Sequence, residues 1–461
     1  MIEADYLIVG AGATGMAFAD VLVTETDATL AIVDRYDRPG GHWTRAYPYI
    51  RLHQPSEFYG VNSKELSSGF KYTSGWNAGL YELASGAEVV GYYDQVMRHH
   101  FLRSGQVRYF PKCEYTEGGS IRSLLSGKTH EVKAQKIVDA TYSKVAIPAL
   151  QLPGYEVADA ARCVPPNTVA TLDRAPDGYV VIGAGKTGID VCLWLLENGV
   201  EPGDIQWIMP RDPWMYDRGN IQPGPEFGER TLGWFAGDLE AAALATSIDD
   251  LFERLEAKDS LLRLDSTVRP TMFHAAIVSV DELDQLRRIK NKVRLGHVRS
   301  IGRDEIVLDE GAIPTTPDTL HIDCTAKGLA RRPAVPVFDG DHITPQNLRR
   351  LQPTFSVALI GHVEASYGSD AEKNELCTPN PFPDSDVDWL RTMLTTLKNM
   401  ARWNADEDLT AWIGSSRLDV FRHTGAADPT PAQRELIDKI RELAPVATSN
   451  LQRLLGDEHE A

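Results

Sequence analysis

Twice in 461 residues the chain places three glycines in the spacing G-x-G-x-x-G between a short apolar run and a helix-like one: Gly10-Ala11-Gly12-Ala13-Thr14-Gly15 and Gly183-Ala184-Gly185-Lys186-Thr187-Gly188. Residues 4–10 read as an apolar strand, Phe18, Val21 and Leu22 carry helical spacing, and a second strand over 30–33 ends at Asp34. The plan returns with a strand over 179–182, a helix over 189–197 stopped by Asn198-Gly199, and a strand over 205–209 ending at Pro210-Arg211. In such a unit the first glycine permits a tight turn, the second lets backbone N–H groups approach a pyrophosphate, and the third lets helix pack on strand. The partial positive charge of the helix N-terminus favours the anion.

The fold class that follows is α/β, with two Rossmann-like, doubly wound dinucleotide-binding domains. Between the units, residues 130–138 alternate like a sheet strand and run into Asp139-Ala140-Thr141, and the chain then turns rich in proline and glycine. Helical periodicity over 224–286 predicts an insertion. Strand character resumes over 293–297, 306–308 and 319–324, and a short apolar strand over 355–361 precedes a helical C-terminus. The expected division is a first part of one nucleotide domain over 1–165, the second domain over 166–315, and the remainder of the first with C-terminal helices over 316–461.

Net charge narrows the function. With 65 acidic against 47 basic residues the chain carries −18, which disfavours a nucleic-acid partner. No apolar run reaches the ~18–20 residues of a membrane helix, and the first residues are acidic where a signal peptide is basic, so a cytoplasmic protein with no membrane partner is expected. The five cysteines form no C-x-x-C pair, and His99-His100 stands apart from acids and cysteines, so no metal site is expected. Oligomeric state is not legible.

Specific residues carry the cofactor expectations. Asp34, 19 residues beyond Gly15, is placed to accept from ribose hydroxyls, with Ala13 and Thr14 at the helix start and Arg35 beside it. In the second unit Thr187 offers a hydroxyl to a phosphate, and Lys186 is either a charge for that phosphate or a solvated helix-start lysine. No acid ends the following strand; Arg211 stands there, suited to the 2′-phosphate of NADP or to a salt bridge with Asp212 or Asp217. Asp139 and Asp323 read as turn acceptors rather than paired catalytic acids.

Pro39-Gly40-Gly41-His42-Trp43, directly after the first unit, resembles the FAD domain of two-dinucleotide flavin-dependent monooxygenases: the flavin-containing, Baeyer–Villiger and N-hydroxylating enzymes. The resemblance implies that Gly41 brings backbone close to the flavin, with His42 and Trp43 beside it. Leu52-His53-Gln54-Pro55-Ser56 is similar to the flavin-edge segment of the N-hydroxylases, which gives His53 and Gln54 cofactor contacts. Asn62-Ser63-Lys64-Glu65 resembles the N-S-x-K-E region, one residue shorter, and assigns Asn62 the catalytic task of holding a hydroperoxide; a surface turn is the other reading. Asp139-Ala140-Thr141-Tyr142 and Cys324-Thr325-Ala326-Lys327-Gly328 resemble, in altered form, that family's linking sequences, which usually end a strand with Ala-Thr-Gly, and the resemblance puts Ala140 and Thr141 at the cofactor. Gly361, before His362, is expected to approach it too, and Arg211-Asp212-Pro213-Trp214 is similar to the R-x-P-x-W stretch of Baeyer–Villiger enzymes. One departure is clear: residues 150–179 contain no phenylalanine and no histidine, so the F-x-G-x-x-x-H motif is missing.

The resemblance implies bound FAD, NADPH as reductant, and a monooxygenase that passes one oxygen atom of O2 through a C4a-hydroperoxyflavin to a small organic substrate, at a heteroatom or an activated carbon. The alternative is a flavin-dependent NAD(P)H dehydrogenase or reductase without oxygen transfer. A third reading is a non-catalytic protein whose dinucleotide is structural.

Overall fold

The structure is a computed structural model that describes residues 1–116, 119–143, 145–326, 328, 331–422, 424 and 429–457. Lys327, in the second linking turn, lies outside them. The first sheet begins with β1 (Ile2–Val9), the helix α1 (Ala13–Glu25) and β2 (Leu30–Asp34), followed by β3 (Val107–Pro111) and β4 (Thr129–Asp139). β1 lies parallel between β4 and β2, and β2 pairs parallel with β3. A hairpin of Cys113–Thr116 and Ser120–Ser123 leans on β4.

The second sheet has five parallel strands: β5 (Arg162–Val164), β6 (Gly178–Ile182), β7 (Ile205–Ile208), β10 (Asn291–Val293) and β11 (Thr319–Asp323), in the order β5-β11-β6-β7-β10. The helix α2 (Lys186–Glu197) follows β6 as α1 follows β1. Central strands here are apolar on both faces, as a sheet covered by helices requires: Leu7, Ile8, Val181 and Ile182 are each no more than 1% exposed. β5 is already an edge of this sheet although it precedes residue 166. Two short strands, β12 (Phe338–Asp339) and β13 (His342–Ile343), then return to the first sheet, where β13 pairs parallel with β4. These two parallel, helix-covered sheets make the doubly wound α/β fold.

Between β7 and β10 the chain makes β8 (Pro213–Asp217), the helix α3 (Gly228–Leu244), a helix over Ile248–Ala257 and β9 (Met272–Val278). The region expected to be wholly helical therefore contains a strand, β9, which pairs parallel with β8. The strand expected over 293–297 is divided: β10 ends at Val293 and a separate sheet begins at Val298.

A larger correction concerns residues 355–361, which lie inside the helix α4 (Pro353–Ser366). Ten of its fourteen residues are buried. A helix apolar all round presents no 3.6-residue period and reads as a strand-like run. The long helices α5 (Asp386–Asn404) and α6 (Pro431–Asp457) close the structure, α6 lying along α3. Their core is aromatic: Trp214, Phe252, Phe273 and Trp389 are no more than 1% exposed. Truncating any of these to alanine costs about 3–5 kcal/mol. Among the described residues no helix is long and apolar enough to cross a membrane, and no group of three His, Cys, Asp or Glu side chains is placed to hold a metal ion.

Candidate functional site

Among the described residues, seven α-helices are capped by a side chain that accepts from the first turn: Ser85, Ser247, Ser279, Ser369, Ser385, Asp406 and Thr430. α1 and α2 are not. They start at Gly12 and Gly185, with no side-chain cap and no acid in the first turn. The first helical bonds return from Met16 to Gly12 and from Ile189 to Gly185. The amides of Ala13, Thr14 and Gly15, and of Lys186, Thr187 and Gly188, thus lack helical partners and have no capping side chain, the arrangement that suits an anion.

At the first and third positions of each turn only glycine fits. Gly10 (φ +103°) and Gly183 (φ +116°) lie in the left-handed half of the map. A Cβ on Gly15 would overlap the carbonyl of Gly10, and one on Gly188 that of Gly183. Ala140 and Thr141 back the first turn, the Thr141 methyl standing 3.1 Å from a Cβ built on Gly10. The linking turns are alike: Asp139 Oδ1 accepts from the amide and hydroxyl of Thr141, and Asp323 Oδ1 from those of Thr325. Both acids are turn acceptors, as expected.

Asp34 ends β2, 6% exposed. Its Oδ2 accepts from the Ala11 amide at 2.5 Å and its Oδ1 from the Tyr36 amide at 2.7 Å. Burial pushes its pKa up, against these two bonds. The carboxylate thereby ties the glycine turn to the strand end, while Arg35 beside it is exposed. The Gly40-Gly41 turn lies against that turn: Gly40 donates to Ala11 O at 2.8 Å, and a Cβ on Gly41 (φ +56°) would come within 3.0 Å of the Gly12 Cα. Backbone packed on backbone here leaves a cradle that a side chain would fill, which fits a flat dinucleotide. Trp43 Nε1 donates to the Tyr59 hydroxyl at 2.8 Å, and the Trp43 and His42 rings lie 5.0 Å apart.

The segment after this turn meets the second glycine unit. On α2, Lys186 pairs with Asp190, four residues on. The Tyr47 hydroxyl donates to Asp190 Oδ2 at 2.7 Å, and His53 Nε2 stands 3.9 Å from its Oδ1. His53 Nδ1 accepts from the Ile277 amide at 3.3 Å, so the proton sits on Nε2 and faces the carboxylate. Burial, then Lys186 and Arg218, holds His53 well below the ordinary histidine range; burial and Lys186 hold His42 at about 4. Both imidazoles are neutral at pH 7. Burial also lowers Lys186, offset by Asp190. Behind this group Arg218, 3% exposed, bonds Glu282 Oε2 at 2.6 Å, Asn77 Oδ1 at 2.5 Å and the His53 carbonyl at 2.9 Å. Tyr47, Asp190, Arg218 and Glu282 were not singled out from the sequence. Only the Lys186–Asp190 spacing was visible there, as an i,i+4 pair.

Other expected residues lie elsewhere. Arg211 lies three residues beyond the end of β7, and its guanidinium is held by Asp384 (3.1 Å) and the Thr271 carbonyl. Asp212 pairs instead with Arg294, and Asp217 with Arg230. Asp384 also holds His274 (2.5 Å) and Arg331, a basic cluster at the strand end. Gln54 donates to the Leu351 carbonyl. Asn62 accepts from the Ser416 hydroxyl at 2.9 Å, and its neighbour Ser63 bonds Asp20, seven residues into α1 and so ~10 Å beyond its start. Asn62 is thus in a turn between α1 and the C-terminal part, away from the Gly10 turn. Gly361 marks a helix crossing: a Cβ there would meet Val21 at 3.1 Å and the Phe18 carbonyl at 3.3 Å. It packs α4 on α1 and does not reach the glycine turn.

The family model for pyridine nucleotide-disulphide oxidoreductases matches residues 4–218, which include both glycine units. An uncharacterized protein of Mycobacterium tuberculosis is 51% identical over 420 residues, covering 91% of this chain and 78% of that one. This chain belongs to the same family as that mycobacterial protein. The resemblance drawn from the glycine motifs holds at the level of a divergent two-dinucleotide flavoprotein fold. Among solved structures, the chain is similar to cyclohexanone monooxygenase in its open form (14% identity, 82% of this chain and 93% of that one, TM-score 0.49). It is also similar to the HOCl-induced flavoprotein disulfide reductase of Escherichia coli (11% identity, 79% and 71%, TM-score 0.42).

Proposed function

We propose that the protein is an FAD-dependent monooxygenase that consumes NADPH and puts one oxygen atom of O2 into a small organic substrate. The observation that carries this reading is the meeting of the two units: Tyr47 and His53, from the segment after the first glycine turn, dock on Lys186 and Asp190 at the open start of α2. When bound, FAD supplies the electron and oxygen chemistry and NADPH the hydride. In the first unit Gly10, Gly12, Gly15 and Gly41 form the cradle and Ala13 and Thr14 offer amides; in the second Gly183, Gly185, Thr187 and Gly188 do the same, and the basic cluster of Arg211 and Arg331 faces the strand end where a 2′-phosphate belongs. Neutral His42 and His53 and the paired Lys186–Asp190 and Arg218–Glu282 groups keep the junction free of net charge and orient it without bulk water.

A disulfide chemistry is less well supported. Cys192, Cys324 and Cys377 are buried, and burial raises all five thiols above their ordinary range, the opposite of an attacking thiolate. The test is to follow NADPH oxidation, O2 uptake and peroxide release by the FAD-loaded protein against a panel of amines, thiols and ketones. An accepted substrate lowers the peroxide released per NADPH and gains labelled oxygen from 18O2. Reduction by NADPH with no oxygen incorporated anywhere in the panel assigns the reductase reading instead.

A further inference from the structure

Lys186 stands at the first position of α2, where the helix start already carries partial positive charge and a further cation is disfavoured. It closes on Asp190 one turn on, and lysine ahead of the acid is the weaker order of an i,i+4 pair. Neither side chain is sealed off: they are 30% and 17% exposed. The ammonium is therefore loosely held, beside open amides that suit an anion.

Asp190 is where both units meet. Its Oδ2 takes Lys186 Nζ and the Tyr47 hydroxyl, and its Oδ1 faces His53 Nε2 at 3.9 Å, beyond hydrogen-bond reach. The other polar groups around the pair are neutral or already matched. Arg218 closes on Glu282, the Tyr49 hydroxyl donates to the Pro166 carbonyl, burial keeps the Cys324 thiol protonated, and His42 is uncharged. β9 presents the Ile277 amide, which donates to His53 Nδ1. The balance of charge at Asp190 thus depends on Lys186.

We propose that Asp190 and His53 form a proton store gated by Lys186: a nucleotide diphosphate at the start of α2 draws the ammonium off Asp190, and the pair takes up one proton from solvent in its place. An unpaired carboxylate this far from water is costly, and a proton is the replacement cation within reach. Asp190 and His53 titrate together, so the proton belongs to the pair rather than to either member. The charges close: phosphate gains the ammonium, and the pair regains a positive partner. Putting one atom of O2 into a substrate and the other into water consumes one proton with each NADPH, so the store fills with the same event that brings the hydride. The inference rests on the reading of α2 as the NADPH site.

Isothermal titration of NADP+ into the FAD-loaded protein at pH 7, in buffers of different ionisation enthalpy, counts the protons taken up. The parent is expected to take up at least about half a proton more per NADP+ than either Asp190→Asn or Lys186→Met. In the first variant the acid is gone; in the second the pair of the free protein already carries its proton. The 2′-phosphate titrates alike in all three and cancels in the difference. The affinities move in opposite directions. Asp190→Asn frees the ammonium for phosphate and binds NADP+ about two- to fivefold more tightly, whereas Lys186→Met binds it about tenfold more weakly. A merely structural role for Asp190 would not tighten binding. No binding of NADP+ by the parent overturns the nucleotide site and the store together. Binding with equal proton counts in parent and variants, or weaker binding by Asp190→Asn, overturns the store alone and leaves the monooxygenase reading standing.

Discussion

In the first nucleotide unit the turn at Gly10 is fastened through an acceptor, since the buried Asp34 carboxylate takes the amides of Ala11 and Tyr36. In the second, the turn at Gly183 is fastened through a donor: the Trp207 indole gives its N–H to the Gly183 carbonyl at 2.9 Å. The backbones bend alike and the overlaps that exclude a side chain are the same, so the turn itself demands neither residue. What differs is which orphan of the turn is paid off, and that choice decides what charge is left at the strand end. An acid occupies it in the first unit; in the second it is free for Arg211 and its basic neighbours.

The comparison is broken most severely at the third glycines. Gly15→Ala and Gly188→Ala each drive a Cβ into a carbonyl, at a cost of about 3 kcal/mol or more. Gly15→Ala is expected to lose bound FAD, and Gly188→Ala to keep FAD but lose reduction by NADPH, as absorbance before and after reductant will show. Identical losses in both would erase the division of labour.

The next effect is on pH dependence. His42 is held at about 4 in the fold against 6.5 unfolded, so between these values the unfolded chain binds more protons. Stability therefore rises with pH from about 4 to 6.5, and acidification through that window removes up to ~3 kcal/mol for this one imidazole. Replacing His42 with Asn should flatten that part of a Tm-against-pH curve; an unchanged slope would place the titration elsewhere.

Arg211→Ala should lower the preference for NADPH over NADH between about 10- and 100-fold, nearer the lower figure because Asp384 shares the guanidinium. Asp384→Asn, which releases Arg211 and Arg331, should move the kinetic ratio the other way. The smallest effect is expected from Trp207→Phe, which leaves the Gly183 carbonyl without its donor at a cost of about 1 kcal/mol, read as a fall in denaturation midpoint.

What was legible in the sequence were demands that a few neighbouring residues make on the backbone. The glycine turns, their flanking strands and helices, and Asp139 and Asp323 as turn acceptors are local matters and hold in the structure. Residues 355–361 misled because burial on every side erases the helical period, and Gly361 followed them, its glycine required by a crossing with α1. β9 was missed because its partner, β8, lies some 60 residues away. At the site, Asp384 for Arg211 and Glu282 for Arg218 are pairings 173 and 64 residues apart, which no spacing announces.

The return of β13 to pair with β4 has a consequence for synthesis. A ribosome releases β4 about 200 residues before β13, roughly 10–40 s at ordinary elongation rates. Throughout that interval the first sheet carries an unclosed edge, while every strand of the second sheet, from Arg162 to Asp323, emerges before it is covered. The nucleotide unit written second can therefore close while one edge of the first still awaits its last strand.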